Sequence, residues 1–164
     1  MRGAAFFDMD GTLFSTHLVH ASLFMSMNDV SIPKRLAKTA AGIAKIPAFM
    51  VVDQISRMAF NEMLFAGFEG SFEDRLIEFA EDHFEKVLKP NIYPGAYELV
   101  ESGKRKGLRQ VIVSGSLDFM VAPLARHLGI DDVITNRLEM RNGVATGKLI
   151  KPIVAGAHKA RFIQ

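Results

Sequence analysis

Asp8 and Asp10 are the residues with the clearest chemical promise, within the run Phe6-Phe7-Asp8-Met9-Asp10-Gly11-Thr12-Leu13-Phe14. The preceding residues, Ala-Ala-Phe-Phe at positions 4–7, are apolar without alternation. Such a run predicts a strand buried on both faces, as in a parallel sheet. Gly11 punctuates a turn directly afterwards. A turn there can hold Asp10 toward the same pocket as Asp8. One carboxylate can then attack as a nucleophile while the other moves protons. A calcium loop is the rival for closely spaced acids. It needs Gly at the sixth position and Glu at the twelfth, following a helix. Here Gly11 is fourth, Val19 is twelfth, and a strand precedes them.

Other candidates are weaker. Ser114 and Gly115 follow the apolar run Val111-Ile112-Val113, where a serine reads equally well as a turn or cap residue. Gly143-Val144-Ala145-Thr146-Gly147-Lys148 resembles a phosphate-binding loop but is one residue short, and Leu149 stands where that loop needs Ser or Thr. It reads better as a hairpin. His17 and His20 have helical spacing but no evident third metal ligand. Arg57 reads as a surface ion pair in preference to a recogniser of anionic substrate.

The elements around these residues fall into two regimes. From Leu18 to about Val87 apolar residues recur at three and four, as in Leu76, Phe79, Ala80 and Phe84, which predicts helices. Residues 67–71 are expected to be a helix–helix loop, with Ser71 capping the next helix because Asp74 follows three residues on. From Pro90 the pattern changes. A helix over 96–106 stops at Gly107, a strand follows over 110–113, and a second helix over 118–128 ends at Gly129. A short strand over 132–135 follows. Asn142-Gly143 signals a two-residue hairpin turn, and a helix starts near Ala157. The expectation is an α/β fold: a Rossmann-like parallel sheet with a helical cap inserted after strand 1. Residues 1–17 and 88–164 would form the core and 18–87 the cap. An insertion there sits above the carboxyl end of the strand, where open α/β sheets bind ligands.

An apolar strand running into Asp8-Met9-Asp10-Gly11-Thr12-Leu13 resembles the first signature of the haloacid dehalogenase superfamily. Val111-Ile112-Val113-Ser114-Gly115-Ser116 resembles the second, and Lys159 in Gly156-Ala157-His158-Lys159 the third. The place of the insertion, Leu128-Gly129-Ile130 and Thr146-Gly147 are similar to the branch that includes phosphoserine phosphatase. The resemblance covers essentially the whole chain. It implies a magnesium-dependent phosphate monoester hydrolase acting on a small phosphorylated metabolite through an aspartyl-phosphate. Asp8 and Asp10 would be catalytic and would hold the metal. Gly11, Thr12, Ser114, Gly115 and Lys159 would bind phosphate. Phosphoryl transfer rests mostly on positioning and charge neutralisation. A serine hydroxyl, amides bared by glycine and a lysine supply both.

Two features depart from the pattern. The family places a pair of acids after the lysine, and this sequence stops at Gln164 without them. Asp131 and Asp132 precede Lys159 and are in the wrong order for that role. The sequence therefore reads as part of a longer chain, with a hydrophobic strand edge exposed. An alternative follows: a catalytically incomplete module, for example one fused to an acyltransferase, with a binding role for the apolar segment 47–65. The branch also carries a glutamate shortly after the first motif, where this chain has His17.

Composition narrows the class. Among 164 residues 49% are hydrophobic, with 13 Phe and 9 Met, enough for a real core. The 20 basic and 18 acidic residues leave a net charge of +2, with no basic cluster that suggests nucleic acid. No cysteine is present, which excludes disulfides, thiolate catalysis and Cys-based zinc sites. Asp8 follows Met1 too closely for a signal peptide. The longest apolar tract, 40–55, is broken by Lys45, Pro47 and Asp53, so no membrane span and a cytoplasmic protein are expected.

Overall fold

The computed structural model describes residues 3–15 and 51–163, with the isolated positions Ala44 and Ala48. Three parallel strands form the central sheet in the order β1 (Ala4–Phe7), β2 (Arg109–Leu117), β3 (Asp132–Asn136). Phe7 pairs with Ile112, and Ile112 with Val133. Helix α3 (Pro94–Arg105) leads into β2, and α4 (Asp118–Leu128) connects β2 to β3. The alternation is the one the apolar runs predicted.

Local signals explain most boundaries. Pro94 opens α3, where a missing N–H costs nothing. Lys104 and Arg105 sit in its last turn, complementing the negative end of the helix dipole. Asp118 opens α4 at the positive end. Gly129 closes it in the left-handed conformation at φ 63°, while the Ile130 N–H donates to the Ala125 carbonyl at 2.9 Å. Asn142 and Gly143, both at positive φ, turn β4 (Leu138–Arg141) into β5 (Val144–Leu149). The segment that resembled a phosphate loop is this hairpin.

Three clusters hold the layers together. Phe7, Ile112, Val121, Leu124 and Val100 pack one face of the sheet under α3 and α4. Val111 and Val113 face the other way, against Val154, Ile134 and Phe162. The third cluster joins α1 (Arg57–Phe65) and α2 (Glu73–His83) to the core: Phe60, Leu64, Phe65, Leu76 and Ala80 meet Leu117, Met120, Leu138 and Ala145. Ordinary packing thus accounts for Phe60, Leu64 and Phe65 of α1.

Three expectations need correction. Phe6 is 41% exposed, so β1 is buried on one face only. It lies on the edge strand of the three-stranded sheet, outside the cluster of Val111, Val113 and Val154. Ser71 does not cap α2. The cap position is Phe72 with no side-chain bond, and the Glu73 N–H donates to the Gly143 carbonyl at 2.9 Å. The hairpin turn supplies the acceptor that a capping side chain would have offered. Finally, β2 does not stop before Ser114 but runs through it to Leu117. Between Val113 and Leu117 it advances four residues while β3 advances only from Ile134 to Asn136. Ser114 to Ser116 thus stand opposite Thr135 alone and form a bulge.

Candidate active site

Asp8 follows the last residue of β1, with buried Phe7 and Met9 on either side holding the backbone. Its side chain is 50% exposed, and that of Lys159 is 25% exposed. The Lys159 Nζ donates to Asp8 Oδ1 at 2.6 Å, across 151 residues of sequence. The Met9 N–H donates to the same oxygen at 2.9 Å. Among the described residues Oδ2 is left uncommitted. Lys159 rides on the 3₁₀ segment Gly156–Phe162, which Phe162 pins to Val111 and Val113.

Asp10 sits half-buried where the chain reverses. Gly11 takes φ 73°, a conformation that glycine adopts without steric cost. The Gly11 N–H donates to Phe14 O at 3.0 Å and that of Leu13 to Met9 O at 3.0 Å. Leu13 and Phe14 are fully buried and anchor the turn. Tyr93 N–H donates to Leu13 O at 3.0 Å, which ties the turn to the entrance of α3. The amides of Gly11 and Thr12 both bond inside this turn, Thr12 to Met9 O at 3.3 Å.

Ser114 lies on β2. With Phe7 paired to Ile112, it comes at the same carboxyl end of the sheet as Asp8. Its side chain is buried, and its Oγ accepts from the Ser116 N–H at 3.0 Å across the bulge. Bulges recur beside active sites because they redirect a side chain and its amides. The sequence predicted Ser114 and Gly115 but gave no sign of this geometry.

Two buried asparagines at the bulge escaped the sequence reading. Asn136, at the end of β3, donates from Nδ2 to Gly115 O at 2.7 Å and to Val154 O at 3.0 Å. Its Oδ1 accepts from the Val154 N–H at 2.7 Å. Asn61, on α1, reaches the same two carbonyls at 3.1 and 3.5 Å. A β-methyl group at Gly115 would stand 3.1 Å from Asn61 Nδ2 and 3.3 Å from Val154 O, so glycine suits the close approach. The sequence marks neither: Asn136 simply closes the strand Asp132–Asn136, and Asn61 lies within a helix.

Arg57 pairs with Asp53 at 3.0 Å and is mostly exposed, with its stem beside Gly156. His17 and His20 lie outside the described residues. At the opposite end of the sheet, Arg109 and Asp132 form an ion pair between the starts of β2 and β3. The hydrogen bond from Arg109 holds the Asp132 carboxyl below its ordinary range. Its perturbation is structural and far from Asp8. Among the described residues no three His, Cys, Asp or Glu side chains cluster as a metal cage. None of their helices is long and apolar enough to cross a membrane.

The chain is thus an α/β protein with a parallel sheet, an acidic turn after β1 and a lysine returned to that turn. Residues 5–164 match the family model of haloacid dehalogenase-like hydrolases, and the chain belongs to that family. It is 28% identical to a phosphoserine phosphatase of Archaeoglobus fulgidus over 96% of its own length and 41% of that protein's. The chain thus spans less than half of that relative. A Bordetella pertussis protein of unknown function shares the fold, with TM-score 0.80 and 20% identity over 93% of this chain and 68% of the other. A phospho-aspartyl intermediate analogue of phosphoserine phosphatase matches with TM-score 0.61 and 20% identity, over 90% of this chain and 62% of that one.

Proposed function

We propose that the chain hydrolyses phosphate monoesters of small metabolites, with Asp8 as nucleophile. The observation that carries this reading is the 2.6 Å contact between Lys159 and Asp8. A cation returned from the far end of the chain to one carboxylate is what a site handling a phosphoryl dianion requires. An Asp8 oxygen attacks phosphorus as the ester P–O bond breaks, and protonated Asp10 gives its proton to the leaving oxygen. Water then attacks the aspartyl-phosphate. Asp10 takes the water's proton, and the Asp8–phosphorus bond breaks to release phosphate. Ser114 and the amides at the bulge hold phosphoryl oxygens, while Lys159 offsets their charge. In the relative captured as a phospho-aspartyl analogue, the same kind of adduct is the named state.

The donor set suits magnesium. Asp8 and Asp10 offer hard oxygens, and magnesium is commonly held by one or two carboxylates with substrate phosphate and water. When bound, the ion would neutralise phosphoryl charge. The test is phosphate release from p-nitrophenyl phosphate with and without magnesium. Metal-dependent release abolished in a folded Asp8→Asn variant supports the reading. Normal turnover by that variant refutes it.

A further inference from the structure

We propose that Asn136 is a positioning residue: with Asn61, it forms an amide clamp that fixes the distance between the Ser114 bulge and Lys159. The inference rests on the phosphatase reading for what Lys159 does, but on geometry alone for where Lys159 is held.

The bulge makes the clamp necessary. Ladder pairing between β2 and β3 lapses between Val113 and Leu117. The Gly115 carbonyl sits in that gap, within a layer that is otherwise buried. Gly115 is partly buried, and a carbonyl drawn away from water needs a donor, with a cost of up to about 1–3 kcal/mol where it is left without one. Asn136 supplies it at 2.7 Å from the last position of β3. The same amide then grips both the N–H and the C=O of Val154. It does for Val154 what a neighbouring strand would do, pairing both backbone groups of one residue.

These bonds join two parts of the site. Gly115 directly follows Ser114, and Val154 begins the short path to Gly156 and Lys159. Ile153, Val154 and Ala155 are all buried, so this path has little slack. A shift of Val154 away from Gly115 would carry Lys159 away from Asp8. Asn136 is buried, and both ends of its amide are taken up by the Gly115 and Val154 backbone. Its influence must pass through the backbone it holds. Asn61 adds a second donor to both carbonyls from α1, so the placement of α1 bears on the same joint.

Asparagine chemistry is specific here. Aspartate has the same shape and can still accept from Val154 N–H, but its ionised form cannot donate to Gly115 O or Val154 O. The experiment is lysine acylation mapped by mass spectrometry in the wild type and in Asn136→Asp, Asn61→Ala and Asp8→Asn. The Lys159 rate is read relative to Lys86. Thermal melts check that each protein is folded, and kcat and KM for p-nitrophenyl phosphate are measured in parallel.

In Asn136→Asp the Lys159 rate is expected to rise toward that of Asp8→Asn, and kcat/KM to fall about a hundredfold, the scale of an ångström-sized misplacement. Asn61→Ala should move both readouts the same way by less, since Asn136 still holds both carbonyls. A merely structural role would lower the melting temperature without changing Lys159 reactivity. Wild-type labelling of Lys159 in both folded clamp variants overturns the proposal. If Asn136→Asp does not fold, Asn61→Ala decides alone. A wild type that labels as expected but releases no phosphate would sink the phosphatase reading and leave the clamp intact.

Discussion

Replacing Lys159 with glutamine separates a catalytic lysine from a structural one. At 2.6 Å, the attraction between Lys159 and Asp8 is about 1.6 kcal/mol in bulk water and about 6 kcal/mol at an effective dielectric of about 20. Half of the Asp8 side chain is exposed, so the pair lies near the watery limit. Desolvation and the ordering of a long side chain oppose the remainder. Exposed pairs of this kind contribute about 0–1 kcal/mol to folding. For 164 residues that is about 0–4 °C of melting temperature. The same charge facing a developing phosphoryl transition state is worth far more, because it is already oriented when the charge appears. Removing one such group costs about 10²–10³-fold in kcat. Lys159→Gln should therefore melt within about 4 °C of wild type and lose about 10²–10³-fold in p-nitrophenyl phosphate hydrolysis. The reverse pattern, a larger loss of melting temperature with activity within about tenfold of wild type, would show that the contact is only a fold-stabilising ion pair.

Gly147→Ala should destabilise the joint between the hairpin and the segment after α1. Gly147 has φ 76°, and a β-methyl group would lie 3.1 Å from the Ala66 carbonyl and 3.0 Å from Glu69 Cβ. The left-handed conformation alone costs a non-glycine residue about 1–2 kcal/mol, so the melting temperature should drop about 2–8 °C. Acid should weaken the hairpin. The hydrogen bond from Thr146, then that from Arg141, holds the Glu139 carboxyl below its ordinary range. A lowered folded-state pKa stabilises above the unfolded value and is lost as pH falls through the folded one. The urea midpoints of wild type and Glu139→Gln should differ above about pH 5 and converge in acid. A constant difference down to acid would refute that account.

Much of the fold was legible because its signals are local. The apolar runs of β1 and β2, the glycine that ends α4 and the Asn142-Gly143 turn each act over a few residues. Asp8 and Lys159 were singled out by residue type and order, and the structure brings them within 2.6 Å of each other. What escaped the reading depends on distant partners. Ser71 carried a cap signature, but Gly143, some seventy residues on, supplied the acceptor for α2. The apolar run at β1 read as buried on both faces, while the exposed hydrophobic edge that was also expected is where Phe6 lies. Asn61 and Asn136 became meaningful only once the bulge had left the Gly115 carbonyl without a ladder partner. Their spacing in the sequence says nothing of a shared target.

The span between Asp8 and Lys159 also sets a timetable for biosynthesis. Asp8 leaves the ribosome 151 residues before Lys159. At elongation rates of about 5–20 residues per second, the interval is about 8–30 seconds. During it β1 has no partner strand until Arg109 to Leu117 are made, and Asp8 has no counter-charge from Lys159. A nascent chain arrested before residue 159 would carry the acidic turn without its lysine. Formation of the Lys159–Asp8 contact during translation would thus report that the 3₁₀ segment Gly156–Phe162 has docked against the finished β1–β2–β3 sheet.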